Sequence, residues 1–237
     1  METVLQRLAQ CKQRVEEAAS RSNRSAADIT IVGITKQARL EDVAAAVHAG
    51  FFEIGENRVQ EAEKKISSLR SLLSREDFEC IRWHLVGHLQ TNKAVKAARL
   101  FKLIHSVDSR QVAERLNAFA AQTHSPLDIL LQVNISGEES KSGVSWTQAH
   151  SLLMETIPLP FVRVRGLMGI GPLAGDLAAK RDCFRRLREV FADENQILAR
   201  KGVPELDILS MGMSDDYEIA VEEGATLIRI GRAIFGG

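Results

Sequence analysis

At 237 residues the chain lies within the range that one α/β barrel fills, so a single domain over 1–237 is expected. With 45% hydrophobic and 26% charged residues, it has the composition of a globular protein able to bury a core. Its 31 basic and 31 acidic residues balance, which leaves no general electrostatic drive toward nucleic acid or an anionic membrane; neither is expected as a partner.

The chain opens with Val4, Leu5, Leu8, Cys11, Val15 and Ala18 at helical spacing, the pattern of an amphipathic helix. Charged residues interrupt its apolar positions as far as Ser20, so it lacks the continuous apolar stretch of a signal peptide. No later run approaches the ~18 apolar residues that a bilayer crossing takes. Short β-branched runs then appear at 29–35, 51–54, 82–86, 103–107, 128–133, 162–168, 206–210 and 226–230. Helical patterns separate them at 40–49, 59–73, 92–100, 110–122, 146–156, 178–199 and 215–223. Such alternation implies parallel strands joined by helical crossovers. Eight strands close a barrel, whereas an open doubly wound sheet stops nearer about six. The expected fold is a (β/α)8 barrel with an extra N-terminal helix. Cys11, Cys80 and Cys183 are widely spaced and include no CxxC pair, which fits reduced thiols in the cytoplasm better than disulfides or zinc.

In a parallel barrel the chemistry gathers at the C-terminal ends of the strands. Those ends carry Lys36, Gly55-Glu56-Asn57, Gly87-His88, Ser106 with Asp108, Asn134, Met168-Gly169, the run from Ser210 to Ser214, and Gly231-Arg232. Alone, Lys36 reads as a surface lysine; delivered to a barrel mouth, it is an amine that desolvation would make nucleophilic toward an aldehyde. After strands seven and eight, such barrels commonly hold a phosphate on backbone N–H groups, a task suited to glycine and serine. The same residues also read as turn chemistry, with Ser214 capping the next helix. Asp215 and Asp216 put acid nearby, so their side chains must turn away. Arg229, inside an apolar strand, needs either a salt bridge or a ligand. His84 and His88 have an H-x3-H spacing, but on a strand they stand ~13 Å apart and do not share a metal. His84 reads instead as a hydrogen-bonded barrel residue. Gly169-Ile170-Gly171 lacks the third glycine of a dinucleotide fingerprint, and the 137–143 segment around Lys141 has the wrong spacing for a P-loop.

Ile-Thr-Lys36, Gly55-Glu-Asn57, Trp83-His-Leu-Val-Gly-His-Leu-Gln90 with Asn92-Lys93, and Val133-Asn-Ile135 with Ser140-Lys-Ser-Gly143 run in order along the chain. Arg165-Gly-Leu-Met-Gly169, Leu209-Ser-Met-Gly-Met-Ser-Asp-Asp216 and Ile228-Arg-Ile-Gly-Arg-Ala-Ile-Phe-Gly236 continue the series. Together they resemble the YggS/PROSC family of pyridoxal 5′-phosphate (PLP) homeostasis proteins. The resemblance implies a fold-type III barrel similar to the N-terminal domain of alanine racemase, with Lys36 as the Schiff-base lysine. It also implies Ser210, Gly212, Gly231 and Arg232 around the phosphate, Arg229 on the pyridine nitrogen, and Asn57, His84, Met168 and Met211 lining the cofactor. His88 departs from the family, since many relatives carry proline or alanine there.

An arginine only donates hydrogen bonds, so on the pyridine nitrogen it would keep that atom unprotonated and weaken PLP as an electron sink. The resemblance to alanine racemase stops at the barrel, and the sole tyrosine, Tyr217, lies in the helix after strand seven. The expectation is a monomeric PLP reservoir or carrier with little or no turnover, no catalytic residue and no metal. PLP-dependent apo-enzymes would be its recipients. The alternatives are a PLP-dependent amino-acid racemase drawing a second base from His84 or a partner chain, and a cofactor-free Schiff-base aldolase. Whether Lys141 or another surface lysine carries a second, transient Schiff base is left open by the sequence.

Overall fold

The computed structural model describes residues 2–138, 142–172 and 176–236. Among them, eight parallel strands close a barrel in sequence order. These are β1 (Thr30–Ile34), β2 (Glu53–Glu56), β3 (Arg82–Leu85), β4 (Leu103–Val107), β5 (Leu127–Val133), β6 (Val162–Gly169), β7 (Ile208–Ser210) and β8 (Leu227–Ile230). Around it run α1 (Val4–Arg21), α2 (Leu40–His48), α3 (Val59–Leu72), α4 (Arg75–Cys80), α5 (Ala94–Leu100) and α6 (Arg110–Thr123). The outer layer continues with α7 (Trp146–Thr156), α8 (Leu177–Arg200), α9 (Tyr217–Glu222) and α10 (Arg232–Phe235).

Local chemistry sets several boundaries. Thr3 and Gln6 form a reciprocal capping box that starts α1, whose buried stripe is Val4, Leu8, Cys11, Val15, Ala18 and Ala19. Asp176 accepts the Ala179 N–H at 2.8 Å and starts α8. The second strand begins later than its apolar run suggests, at Glu53 rather than Phe51. Phe51 instead returns its N–H to Ala46 O at 3.0 Å, completing the turn out of α2, and its ring packs over Gly33. The seventh strand also starts late, at Ile208. Leu206 is held out of it by Asn195, whose side chain accepts the Leu206 N–H at 2.7 Å and donates to Leu206 O at 2.9 Å. Helix α4 carries no apolar periodicity and depends on Ser74, which accepts the Asp77 N–H at 3.1 Å. Helix α9 starts at Tyr217 rather than Asp215, because Asp216 bends back to accept the Met213 N–H at 2.7 Å.

Strand side chains alternate between the two faces of the barrel wall. Ile54, Leu85, Ile104, Ile129, Leu131, Leu167, Leu209 and Ile228 face the helices. Val32, Ile34, Val86, Leu103, Leu130, Met168 and Leu227 form a separate apolar cluster inside the barrel. His84, His105, Ser210 and Arg229 share that interior, each buried.

Cys11 and Tyr217 meet where α1 packs on α9, in the outer layer. Burial pushes the Cys11 thiol up to about 11, and burial likewise pushes the Tyr217 phenol up to about 12. The folded state therefore holds the Cys11 proton more tightly than the unfolded chain does. Stability is unaffected below the thiol's ordinary value of 9.0 and falls as pH rises from there toward about 11. The loss is on the order of 3 kcal/mol, because each tenfold gain in proton affinity is worth ~1.4 kcal/mol. Urea midpoints of the wild type should drop across that window, and Cys11→Ala should flatten the drop.

Candidate functional site

At the C-terminal mouth Lys36 occupies the next inward position after Val32 and Ile34 on β1, in the turn that follows the strand. It is exposed, so of the two readings left open by the sequence, a surface lysine or a desolvated amine, the structure shows the side chain open to solvent. Its backbone is nonetheless anchored. Thr35, fully buried, donates its hydroxyl to Glu56 Oε1 at 2.6 Å. Lys65 Nζ donates to that carboxylate at 2.5 Å and also to the Thr35 carbonyl. A buried ion pair thus grips the residue immediately before Lys36. Asn57 follows β2, and a side chain on Gly87 would collide with Asn57 O, at 2.2 Å. His88 Nδ1 lies 3.4 Å from Asp108, whose carboxyl burial pushes upward.

The opposite rim is built from β7, β8 and their turns. Gly231 lies against Ile34, its Cβ position 3.4 Å from Ile34 O, which puts it beside the strand that carries Lys36. Gly212 has φ +90, and its carbonyl accepts the Arg229 N–H at 3.0 Å. The Ser214 hydroxyl accepts from the N–H groups of Gly231 and Ala233 at 3.3 and 3.4 Å, long bonds at the start of α10. Both neighbouring acids are engaged elsewhere. Asp215 pairs with the exposed Arg232 at 2.6 Å, while Asp216 takes the Met213 N–H and lies 3.8 Å from Lys180.

Arg229 is 4% exposed and donates to Ser210 Oγ at 2.7 Å and to Gly169 O at 2.9 Å. Among the described residues no carboxylate lies within ion-pair distance of it, so the salt bridge left open by the sequence is absent. Burial lowers its guanidinium to about 10, with Asp216 opposing the shift. It remains charged at neutral pH, held among the described residues by neutral acceptors.

The structure therefore brings Lys36, Asn57, Gly212, Gly231, Arg232 and Arg229 toward one end of the barrel. Met168 lies inside it, paired in register with Ser210. Ser210 faces inward too, fully buried between Arg229 and His105. Met211 packs in the outer layer against the helices, not toward the mouth. His84 is the hydrogen-bonded barrel residue expected, with Nε2 2.6 Å from Glu53, but it faces the N-terminal end, away from Lys36. Lys141 lies outside the described residues. Sequence reading missed His105, hidden in an apolar run, and the Glu56–Lys65 pair, whose i, i+9 spacing has no helical or strand period. Ser214, which the sequence offers either within the phosphate-holding run or as a cap for the helix after it, places its hydroxyl at the start of the helix after β8 instead.

The family described as alanine racemase, N-terminal domain, matches residues 6–237. A pyridoxal phosphate homeostasis protein of Pseudomonas aeruginosa is 39% identical, covering 100% of this chain and 96% of its own. The chain belongs to this family. Homeostasis proteins of Escherichia coli and Aquifex aeolicus are 36% and 38% identical, each over at least 96% of both chains. Among solved structures, a protein of unknown function from Bifidobacterium adolescentis is 34% identical, with TM-score 0.87 over 98% of this chain and 94% of its own. PipY of Synechococcus elongatus, solved with PLP bound, is 35% identical, with TM-score 0.79 over 94% of this chain and 100% of that one. An alanine racemase of Clostridium difficile, 13% identical over 95% of this chain and 59% of its own at TM-score 0.67, shares the fold alone.

Proposed function

We propose that this homeostasis-family chain binds PLP at the C-terminal mouth, with Lys36 as its covalent anchor, and serves as a PLP reservoir or carrier with little or no turnover. The observation that carries the reading is Arg229, a buried cation whose acceptors among the described residues are neutral. A buried charge without a counter-ion is costly, and an unprotonated, electron-rich ring nitrogen is a further acceptor to which the guanidinium can donate. The long N–H contacts to Ser214 suit exchange for phosphate oxygens, alongside Gly212, Gly231 and Arg232. When bound, PLP supplies an aldehyde that condenses with a primary amine, releasing water. The chain's own residues orient it: Arg229 toward the ring, Asn57 and Met168 at the wall, and Thr35, Glu56 and Lys65 beneath the Lys36 backbone.

Three features support holding over turning over. Arg229 only donates, so it leaves a ring nitrogen unprotonated. Tyr217, the one tyrosine, is buried beside Cys11 in the outer layer. His84 is committed to Glu53 and His105. The tyrosine and the histidine that a racemase could recruit as its second base are thus both occupied away from the mouth. One chain supplies every group named, which suits a monomer that passes PLP to apo-enzymes. No helix among the described residues is long and apolar enough to cross a membrane, compatible with work in the cytoplasm.

The test is an absorbance spectrum of the purified protein with and without added PLP. A visible band that borohydride bleaches is expected. A protein that stays colourless after PLP addition would overturn the reading and favour the cofactor-free aldolase.

A further inference from the structure

The hydrogen bonds of Arg229 continue across the barrel. Ser210 Oγ, which accepts from Arg229, stands 3.1 Å from His105 Nδ1. His105 Nε2 is 3.0 Å from His84 Nδ1, and His84 Nε2 is 2.6 Å from Glu53 Oε2. Ser210 and His105 are wholly buried, and His84 is 2% exposed. Glu53 borders a pocket of about 220 Å³ at the N-terminal mouth, with Asp28, Arg82, Arg165 and Asp207.

Hydrogen counting gives this chain a direction. Ser210 Oγ already accepts from Arg229, so its own proton needs an acceptor, and His105 Nδ1 is the one in reach. His105 then carries its proton on Nε2 and donates to His84 Nδ1. His84 in turn carries its proton on Nε2 and donates to the Glu53 carboxylate. The reverse order would strand the buried Ser210 proton and would require either a second cation, a doubly protonated His84, or a protonated Glu53. Burial, reinforced by His84 and Arg229, holds His105 well below the ordinary imidazole range, in keeping with a neutral ring.

We propose that His105, His84 and Glu53 are positioning residues for the cofactor: through this one-way relay, a carboxylate at the N-terminal mouth fixes the guanidinium that meets the PLP ring. The inference rests on the PLP reading above. Glu53 answers the charge of Arg229 through four hydrogen bonds rather than by contact. Its side chain is 24% exposed and also lies 3.5 Å from Arg82, so the far end of the relay opens to solvent and to a second cation.

Two measurements test it. Imidazole nitrogen NMR shifts of the wild-type protein, without PLP, are expected to show both histidines neutral and protonated on Nε2. Glu53→Gln, remote from Lys36, is expected to weaken PLP retention about tenfold, the worth of one charge-assisted hydrogen bond, and to move the visible band. His105→Phe should do the same. His105→Gln, which accepts from Ser210 and donates toward His84, should restore the band. Thermal melting of each variant separates a folding defect from a relay defect, and the wild-type NMR stands whatever the variants do. A proton on Nδ1 of either ring, or Glu53→Gln with wild-type affinity and spectrum, overturns the relay. A wild type that gives no band overturns the cofactor reading, and the positioning role with it.

Discussion

Lys36→Ala should abolish the borohydride-reducible band entirely while leaving the fold intact. The side chain is exposed and makes no hydrogen bond or ion pair among the described residues, so its removal should change stability by no more than about 0.5 kcal/mol. Substitution by a neighbouring amine is blocked. Lys65 reaches the residue before Lys36, but its ammonium is spent on Glu56 and the Thr35 carbonyl. Moving it would strand a fully buried carboxylate, at a cost of about 3–5 kcal/mol. PLP should still visit the mouth non-covalently through Arg229, and so should be lost on dialysis. Reduction of the PLP-loaded wild type followed by peptide mass mapping checks the position. A pyridoxyl group found elsewhere, with Lys36 unmodified, would sink the assignment.

Gly166→Ala should be the most destabilising single methyl in the molecule's sheet. A Cβ at Gly166 would sit 1.7 Å from Ile208 O and 2.6 Å from Ile208 C, backbone on which no rotamer change can act. The two residues face each other across the β6–β7 seam, and β7 is only three residues long. Relief requires the strands to part, taking the Asp207 N–H to Arg165 O bond at 2.9 Å with them. Overpacking in a core costs about 1–3 kcal/mol where side chains can yield; here backbone must yield, so about 3 kcal/mol or more is expected. Against a total of roughly 5–15 kcal/mol, that is a large fraction. Urea denaturation would show it as a lowered midpoint. Because β7 delivers Ser210 and Gly212, PLP retention should weaken in the molecules that remain folded.

The barrel was legible in the sequence because its strands are buried on both faces and read as apolar runs, and β4 and α7 fall at the expected residues. The errors cluster where a single side chain overrides a run. Asn195 captures Leu206, and Phe51 serves a turn rather than a strand. The mouth was legible for a different reason: lysine, glycine and serine at strand ends are conspicuous against apolar neighbours. What stayed hidden was depth. Period two says that Ser210 and Met211 face opposite ways, but not which of them faces inward. Nor does it reveal that His84 and His105, on adjacent strands, meet within the barrel. That meeting depends on the stagger of β3 against β4, where His84 pairs with Leu103.

The clasp between α1 and α10 bears on how the molecule forms. Arg7 Nε donates to Ile234 O at 2.6 Å across a separation of 227 residues, beside the β1–β8 seam. Contacts this remote in sequence raise the contact order and slow folding, since the entropy of a very large loop must be lost before the seam rewards it. Arg229, Gly231 and Ser214 gather along the same seam, so competence to bind arrives only as the ring shuts. A ligand held there would act as a latch between the first and last staves, retarding reopening of the barrel along that seam.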